Sequence, residues 1–344
     1  MPQIFGTITT PAGEVPRVDT TLQTADRLGA WMARWAMGRM RYAVEPGLYA
    51  AGQPTADSPV LVSANYKMSF DQLRCRLAGL DAWILVLDTR GINVWCAAGK
   101  GTFGTDEIVH RIAATGLAEV VSHRRVIVPQ LGAPGIAAHD VKHRSGFRVI
   151  YGPVRAEDLP AFLAAKMKAT PEMRRVRFPI RDRVVLVPVE LMMTAKYFLV
   201  LAACVLFLAG VGPGEYWTRV LGIGIRSAAL VLAVSVGTLA LVPTLLPWLP
   251  GRAFALKGLW IGLAFAAAVL LLGWSHGDLL GNRLSLAAWC LLLPATASFL
   301  GMNFTGASTY TSLSGVRKEM ALAVPLQALA VVAGMTLWLI APFV

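Results

Sequence analysis

The chain is short of cysteine and of acidic residues, and each shortage excludes a class of protein. Its four cysteines, Cys75, Cys96, Cys204 and Cys290, form no C-x-x-C pair. A zinc ribbon or a bound iron–sulfur cluster therefore has no ligand set, and no disulfide scaffold is expected. Cys204 and Cys290 lie within apolar runs, where cysteine behaves as a small hydrophobe. Charged residues make up only 15% of the 344 positions against 56% apolar, a balance too greasy for an ordinary soluble protein. The start, Met1-Pro2-Gln3-Ile4-Phe5, lacks a basic segment followed by an apolar core, so no secretory signal is expected. Internal repeats, low-complexity tracts and RNA-type aromatic–basic motifs are missing as well.

The shortage of acids leaves a net charge of +12 from 32 basic and 20 acidic residues. Much of the excess, Arg174, Arg175, Arg177, Arg181 and Arg183, sits just before the first long apolar run. A basic collar beside a span signals topology and lipid attraction, so a lipid bilayer and not nucleic acid is the expected partner.

What is present divides near Pro188. Residues 1–50 read as a peripheral segment, with a helix over 22–41 that places Trp31 and Trp35 on one face. Residues 51–170 read as a globular α/β domain. Its strands are Val60–Val62, Ala82–Leu87, Val126–Val128 and Phe147–Tyr151, interleaved with helices near 69–80, 105–114 and 157–168. That alternation predicts a Rossmann-like, doubly wound fold, in which ligands bind at the carboxyl ends of the strands. Thr105 is the expected N-cap of its helix.

Residues 171–194 form a basic linker, and 195–344 an all-α transmembrane domain. Five spans are expected, at about 195–211, 227–246, 256–274, 284–302 and 321–342, each near the ~20 apolar residues that cross a bilayer. Positive-inside reasoning places the first domain in the cytoplasm and the C-terminus outside a multi-pass inner membrane protein.

One run stands out: Asn93-Val94-Trp95-Cys96-Ala97-Ala98-Gly99-Lys100, between the end of the second strand and a helix start. Backbone N–H groups and a helix dipole there favour negative charge, and Lys100 adds a cation. Ala97, Ala98, Gly99 and Gly101 let a large flat ligand approach the backbone. Gly99-Lys100-Gly101-Thr102 lacks the earlier glycine of a phosphate loop. The residues alone leave Cys96 open between a reactive thiol and a small buried side chain in a tight turn.

The run is similar to the signature of the HgcA family, the corrinoid proteins of microbial mercury methylation. Pro59-Val60-Leu61-Val62-Ser63-Ala64-Asn65-Tyr66-Lys67, Gly101-Thr102-Phe103, Val128-Pro129-Gln130-Leu131-Gly132-Ala133-Pro134-Gly135 and Tyr151-Gly152-Pro153-Val154-Arg155-Ala156 fit as well. The resemblance covers most of the chain, including the membrane half. The globular part also resembles the corrinoid domain of the large subunit of the corrinoid iron–sulfur protein, a soluble relative that carries its own cluster cysteines.

The HgcA resemblance implies a base-off corrinoid such as cobalamin, with the Cys96 thiolate as lower axial ligand of its cobalt. A thiolate is a strong donor trans to a methyl group, and axial ligands tune metal electronics. Asn93 would hold the loop or the sulfur, and Trp95 either covers the corrin face or packs in the core. Ser63, Asn65 and Tyr66 follow a strand end and either touch the ligand or form turns, and Gly132, Gly135 and Gly152 serve tight turns. The resemblance further implies Hg(II) as methyl acceptor, a methyl-tetrahydrofolate-dependent donor protein, and a small ferredoxin-like reductant with two 4Fe–4S clusters (HgcB).

Among competing ligands, Asp140-Val141-Lys142-His143-Arg144-Ser145-Gly146 has one residue too many for the histidine motif of other corrinoid proteins. His143 and His110 are accordingly expected at the surface, His139 has no partner visible in the sequence, and His276 is expected in an outer loop. The polar stretch 303–312, with Thr305 and Thr309, either underlies the globular domain, receives a redox partner or is a plain flexible loop. Two other functions remain open: a corrinoid methyl carrier of one-carbon and acetyl-CoA metabolism, and a non-catalytic membrane protein that senses a ligand.

Overall fold

Val60–Ala64 and Ala82–Leu87 contain no residue that reaches solvent, as expected of strands covered on both faces. In the computed structural model, which describes residues 4–276, 281–307 and 313–344, they are central strands of one sheet. The chain divides into two compact units, Met1–Arg177 and Phe178–Val344.

The strands of the first unit are β1 (Ile4–Thr10), β2 (Gly13–Val18), β3 (Gly47–Ala51), β4 (Val60–Ala64), β5 (Ala82–Leu87), β6 (Arg125–Val128) and β7 (Arg148–Tyr151), in the order β1-β2-β3-β5-β4-β6-β7. The pairs β5–β4, β4–β6 and β6–β7 are parallel, the doubly wound part that the sequence predicts. β3 joins β5 antiparallel, and β2 and β1 extend the sheet beyond it. The sheet is therefore mixed, and the first 51 residues supply three of its strands where only a helix was expected.

The helices of this unit are α1 (Thr24–Arg34), α2 (Lys67–Arg74), α3 (Val94–Lys100), α4 (Thr105–Ala114), α5 (Leu117–Val120), α6 (Ala138–Ser145) and α7 (Leu159–Ala164). Side chains alternate across the strands with period two. Val60, Val62, Leu85 and Leu87 pack on one face with Ala97, Ile108, Ile112 and Val141 of α3, α4 and α6. Leu61, Ile84 and Val86 pack on the other with Phe70 and Leu73 of α2 and Phe162 of α7.

α1 stops seven residues before the expected end because Ala36 and Gly38 take left-handed conformations at φ 60° and 65°. A square of buried charges ties it to α2. Lys67 Nζ donates to Asp26 Oδ1 and Asp71 Oδ2 at 2.5 and 2.6 Å, and Arg74 bonds the second oxygen of each acid at 2.7 Å. A further Arg74 nitrogen donates to the Asp19 carbonyl oxygen. Burial opposes the charge on Asp26, but bonds from Lys67, the Gln23 N–H and Arg74 outweigh it and hold its carboxyl below the ordinary value.

The second unit comprises α8 (Ile180–Val184), α9 (Val187–Leu208), α10 (Tyr216–Arg219), α11 (Ile225–Thr244), α12 (Phe254–His276), α13 (Arg283–Gly301) and α14 (Leu313–Ile340). Among the described residues five helical segments are long and apolar enough to cross a membrane: Ile180–Leu208, Tyr216–Thr244, Phe254–Gly273, Arg283–Phe304 and Gly315–Phe343. The first begins upstream of the expected 195, so Arg181 and Arg183 are helical.

α12 and α13 approach closely because Gly258 and Gly262, four apart, face the backbone of Ala297 and Pro294 with no Cβ between them. Charges serve helix ends. Arg183 donates to Thr244 O at 2.6 Å, Lys257 to Leu246 O and Leu249 O at 2.8 and 2.6 Å, and Glu319 accepts from Ala255 N at 2.6 Å. The Thr244 carbonyl and the Ala255 N–H are groups that helix termini leave without intrahelical partners, and the Leu246 and Leu249 carbonyls lie in the turn after α11.

Candidate functional site

The loops that follow the four parallel strands gather at one edge of the sheet, the usual place for a ligand in this topology. Asn65 and Tyr66 follow β4, the segment 88–93 follows β5, a turn over Gln130–Gly135 follows β6, and Gly152 and Pro153 follow β7. The Gln130 N–H donates to Pro153 O at 3.3 Å, linking the last two.

Cys96 lies in the first turn of α3, not in an open loop. Asn93 caps that helix through its side chain, Oδ1 accepting from the Cys96 N–H at 2.9 Å. The expected role of Asn93 in holding this segment thus takes the form of a backbone cap.

Spacing then sorts the motif into two faces. Val94, Ala97 and Ala98 are buried in the core. Trp95 and Cys96 are half-buried and Gly99 and Lys100 exposed, together making the open side of α3. Gly101 ends the helix at φ +81°, a conformation that favours glycine.

The glycines divide in the same way. A Cβ on Gly132 would collide with the Phe103 ring, and one on Gly135 with the Phe103 carbonyl oxygen, with Ala98 Cα only 3.1 Å away. A Cβ on Gly152 would stand 3.0 Å from Ile127 Cγ2. All three let protein pack against protein. Gly99 differs: a Cβ there meets no atom within 4 Å.

Asn65 is a buried node. Its Oδ1 accepts from the Thr89 N–H at 3.1 Å, Thr89 Oγ1 at 2.8 Å and the Gly91 N–H at 2.9 Å, and its Nδ2 donates to Asp88 Oδ1 at 3.3 Å. The loop leading to Cys96 is therefore shaped from β4. Ser63 is buried and its hydroxyl donates to Ala64 O at 3.2 Å. Tyr66 is buried against Tyr42 at 6.3 Å and beneath Arg39 at 5.3 Å. Burial pushes its phenol above the ordinary value, partly offset by Arg39 and Arg34.

His110 and His143 are exposed, as expected, and His139, also exposed, lies 3.3 Å from Asp140 Oδ1, a partner that sequence reading did not see. Gly104, not Thr105, is the N-cap of α4, and Thr105 Oγ1 accepts from the Ala137 N–H at 2.9 Å instead. Thr309 lies outside the described residues, and the side chains of Thr305 and His276 do as well. Sequence reading missed the charge square, although Lys67, Asp71 and Arg74 stand at helical spacing, and it missed Thr89.

Among the described residues no group of three or more His, Cys, Asp or Glu side chains comes together to hold a metal ion. A metal at Cys96 would have to bring its other ligands with it, as a cobalt in a corrin ring does. The residues present fit such a group. The thiol is on an open face, Gly99 leaves that face flat, and Thr102 Oγ1 and Gln130 Oε1 flanking α3 are buried without a protein hydrogen bond. Cys75 offers no equivalent site, since burial raises its thiol and its Sγ donates to Gln72 O.

Residues 36–163, which contain all four parallel strands and α3, match the CdhD family, the CO dehydrogenase/acetyl-CoA synthase delta subunit. The chain is similar to acetyl-CoA decarbonylase/synthase complex subunit gamma of Methanopyrus kandleri, 34% identical over 122 residues, or 35% of this chain and 26% of that protein. Subunit gamma 2 of Methanosarcina mazei is 33% identical over 129 residues, covering 36% and 27%. Subunit gamma of Methanocaldococcus jannaschii is 31% identical over 134 residues, covering 36% and 26%. The chain thus spans about a quarter of the length of these relatives.

Proposed function

We propose that this chain is a membrane-anchored, corrinoid-dependent methyltransferase that passes a methyl group to Hg(II). Cys96 Sγ would hold the cobalt of a corrinoid bound without its own lower base. The observation that carries the reading is the open side of α3, where the Cys96 thiol stands beside a glycine with no packing reason to be one. When bound, the corrinoid supplies a cobalt that carries the methyl group.

The chain's own residues do the rest. The Asn93 cap and the Asn65–Thr89 node fix the position of Cys96. Trp95 and Gly99 bound the open surface that would receive the ring. Thr102 Oγ1 and Gln130 Oε1 offer hydrogen bonds to its polar periphery. A corrinoid held there would supply a methyl group transferable with its bonding electron pair to Hg(II), and the electron-donating Cys96 thiolate would favour that transfer. Restoring the methyl-accepting form of that group would require two low-potential electrons. No cluster ligand set exists among the described residues, so a ferredoxin-like partner with two 4Fe–4S clusters supplies them. The methyl group comes from a methyl-tetrahydrofolate-dependent protein. The first unit lies in the cytoplasm and the C-terminus outside.

A second reading, a methyl carrier of one-carbon metabolism, draws on the likeness of residues 36–163 to the acetyl-CoA decarbonylase/synthase subunits. Absorption spectra of the protein reconstituted with cobalamin test what both share. Cys96→Ala should change the cobalt spectrum and Cys75→Ala should not; identical spectra would remove Cys96 as ligand. Methylation of Hg(II) by the protein and its reductant, set against methyl transfer to acetyl-CoA synthase, separates the two acceptors.

A further inference from the structure

α1 has two working sides. The inner side carries Asp26 and Ala33, both buried, and Gly29, which packs against the Tyr42 ring. The outer side carries Leu28, Trp31, Met32 and Trp35, the i, i+3, i+4, i+7 spacing of a single stripe. Leu28, Trp31 and Met32 are 56%, 53% and 40% exposed, and Met37 and Met40 just beyond are 42% and 75% exposed. The Trp31 and Trp35 rings lie 6.1 Å apart. Clustered large apolar side chains on a surface mark an interaction site, whereas isolated ones do not.

The charges around the stripe are of one sign. Between Thr24 and Arg41 the only acid is Asp26, and it is consumed in the buried square. Arg27 and Arg41 are exposed, and Arg34 and Arg39 partly so. Trp, Leu and Met beside arginine, with no acid, is the composition of a segment lying in a lipid interface.

We propose that α1 and the turn after it, over residues 28–41, dock on the anionic surface of the bilayer. Two features favour lipid over a protein partner. Only Phe178 and Pro179 separate the first unit from the membrane-length helix that begins at Ile180. The bilayer is therefore always within reach, at high effective concentration. The exposed charge is also uniformly cationic, which suits a surface of anionic headgroups. The docked segment adjoins the candidate site: Arg39 covers the Tyr66 ring, and the Met40 carbonyl oxygen is 3.5 Å from the Cβ position of Gly91.

Hydrogen exchange of the full chain in nanodiscs tests this without any cofactor. In phosphatidylglycerol discs the amides over 24–41 should exchange about tenfold more slowly than in phosphatidylcholine discs, with high salt abolishing the difference. The exposed-residue double variant Trp31→Gln/Met40→Gln should lose the protection while β4 and β5 exchange as in wild type. Arg27→Gln/Arg41→Gln should weaken the lipid dependence and leave the fold intact. Equal exchange in the two lipids, unchanged protection in both variants, or protection that appears only when an acidic protein is added would overturn the proposal.

Discussion

Replacing Asn65 with alanine separates a loop organiser from a ligand contact. In the wild type its Oδ1 takes three donors from Thr89 and Gly91. The Thr89 hydroxyl has a second acceptor in Ile92 O at 2.6 Å and survives the loss. The Thr89 and Gly91 N–H groups have no replacement, and Thr89 is fully buried. Each unsatisfied buried donor costs about 1–3 kcal/mol, so Asn65→Ala should cost roughly 2–5 kcal/mol. For a unit of this size that lowers the melting temperature by roughly 5–15 °C. Asn65→Asp keeps the acceptor but replaces the bond to Asp88 with two facing carboxylates. It should therefore cost less at acidic than at neutral pH. Near-UV circular dichroism melts of the N-terminal unit report the loss, and hydrogen exchange over 88–96 locates it. An Asn65→Ala protein that melts like wild type yet binds cobalamin poorly would refute the organiser role and make Asn65 a ligand contact.

Other perturbations follow from the same contacts. Gly135→Ala forces a Cβ onto the Phe103 carbonyl and the α3 backbone and should cost about 1–3 kcal/mol, whereas the tightest contact of Gly152→Ala is 3.0 Å, to the Ile127 Cγ2 methyl, and it should cost less; denaturant titration ranks them. The charge square gives a signed pH dependence. The Asp26 carboxyl is lowered on folding, so its stabilisation is complete above the ordinary carboxylate value and lost as pH falls through the lowered one, beginning below about pH 4. Lys67 is raised despite its burial, through Asp26 and Asp71, so its contribution is complete below the ordinary lysine value and fades only as pH rises through the raised one. Asp26→Asn breaks the buried square, which costs about 3–5 kcal/mol and lowers the melting temperature by roughly 10 °C at neutral pH; a melt unchanged from wild type would refute the square's role. Lys257→Met strips donors from the Leu246 and Leu249 carbonyls and should shorten the thermal half-life of the detergent-solubilised chain.

The doubly wound half of the sheet was legible because strands buried on both faces are written as unbroken apolar runs. Ala82–Leu87 matches its expected bounds, and the strands beginning at Val60, Arg125 and Arg148 differ by a residue or two. β1 and β2 were not legible. Ile4–Thr10 is Thr-rich and largely exposed, and Gly13–Val18 contains Pro16, so neither carries the burial signal that marks a strand. The five membrane-length helices were legible from hydropathy alone, but the start at Ile180 was not, since Arg181, Asp182 and Arg183 mask a helical turn.

At the site, residue types that suit a ligand also suit packing, and only geometry separates the two. Ala97, Ala98 and Gly132 are small because Phe103 and the turn over 130–135 press on α3, which is reason enough without any cofactor. Gly99 has no such reason. An exposed helical glycine is less stable than alanine by about 0.5–1 kcal/mol, somewhat less near a helix end. Gly99→Ala should therefore raise the stability of the ligand-free unit slightly while weakening cobalamin binding, two effects of opposite sign on one residue. A packing role predicts a loss of stability, and a neutral surface position predicts no change in binding. Cys96, one turn away on the same face, is thus better tested through what its neighbour lacks than through its own burial, which suits a structural cysteine equally well.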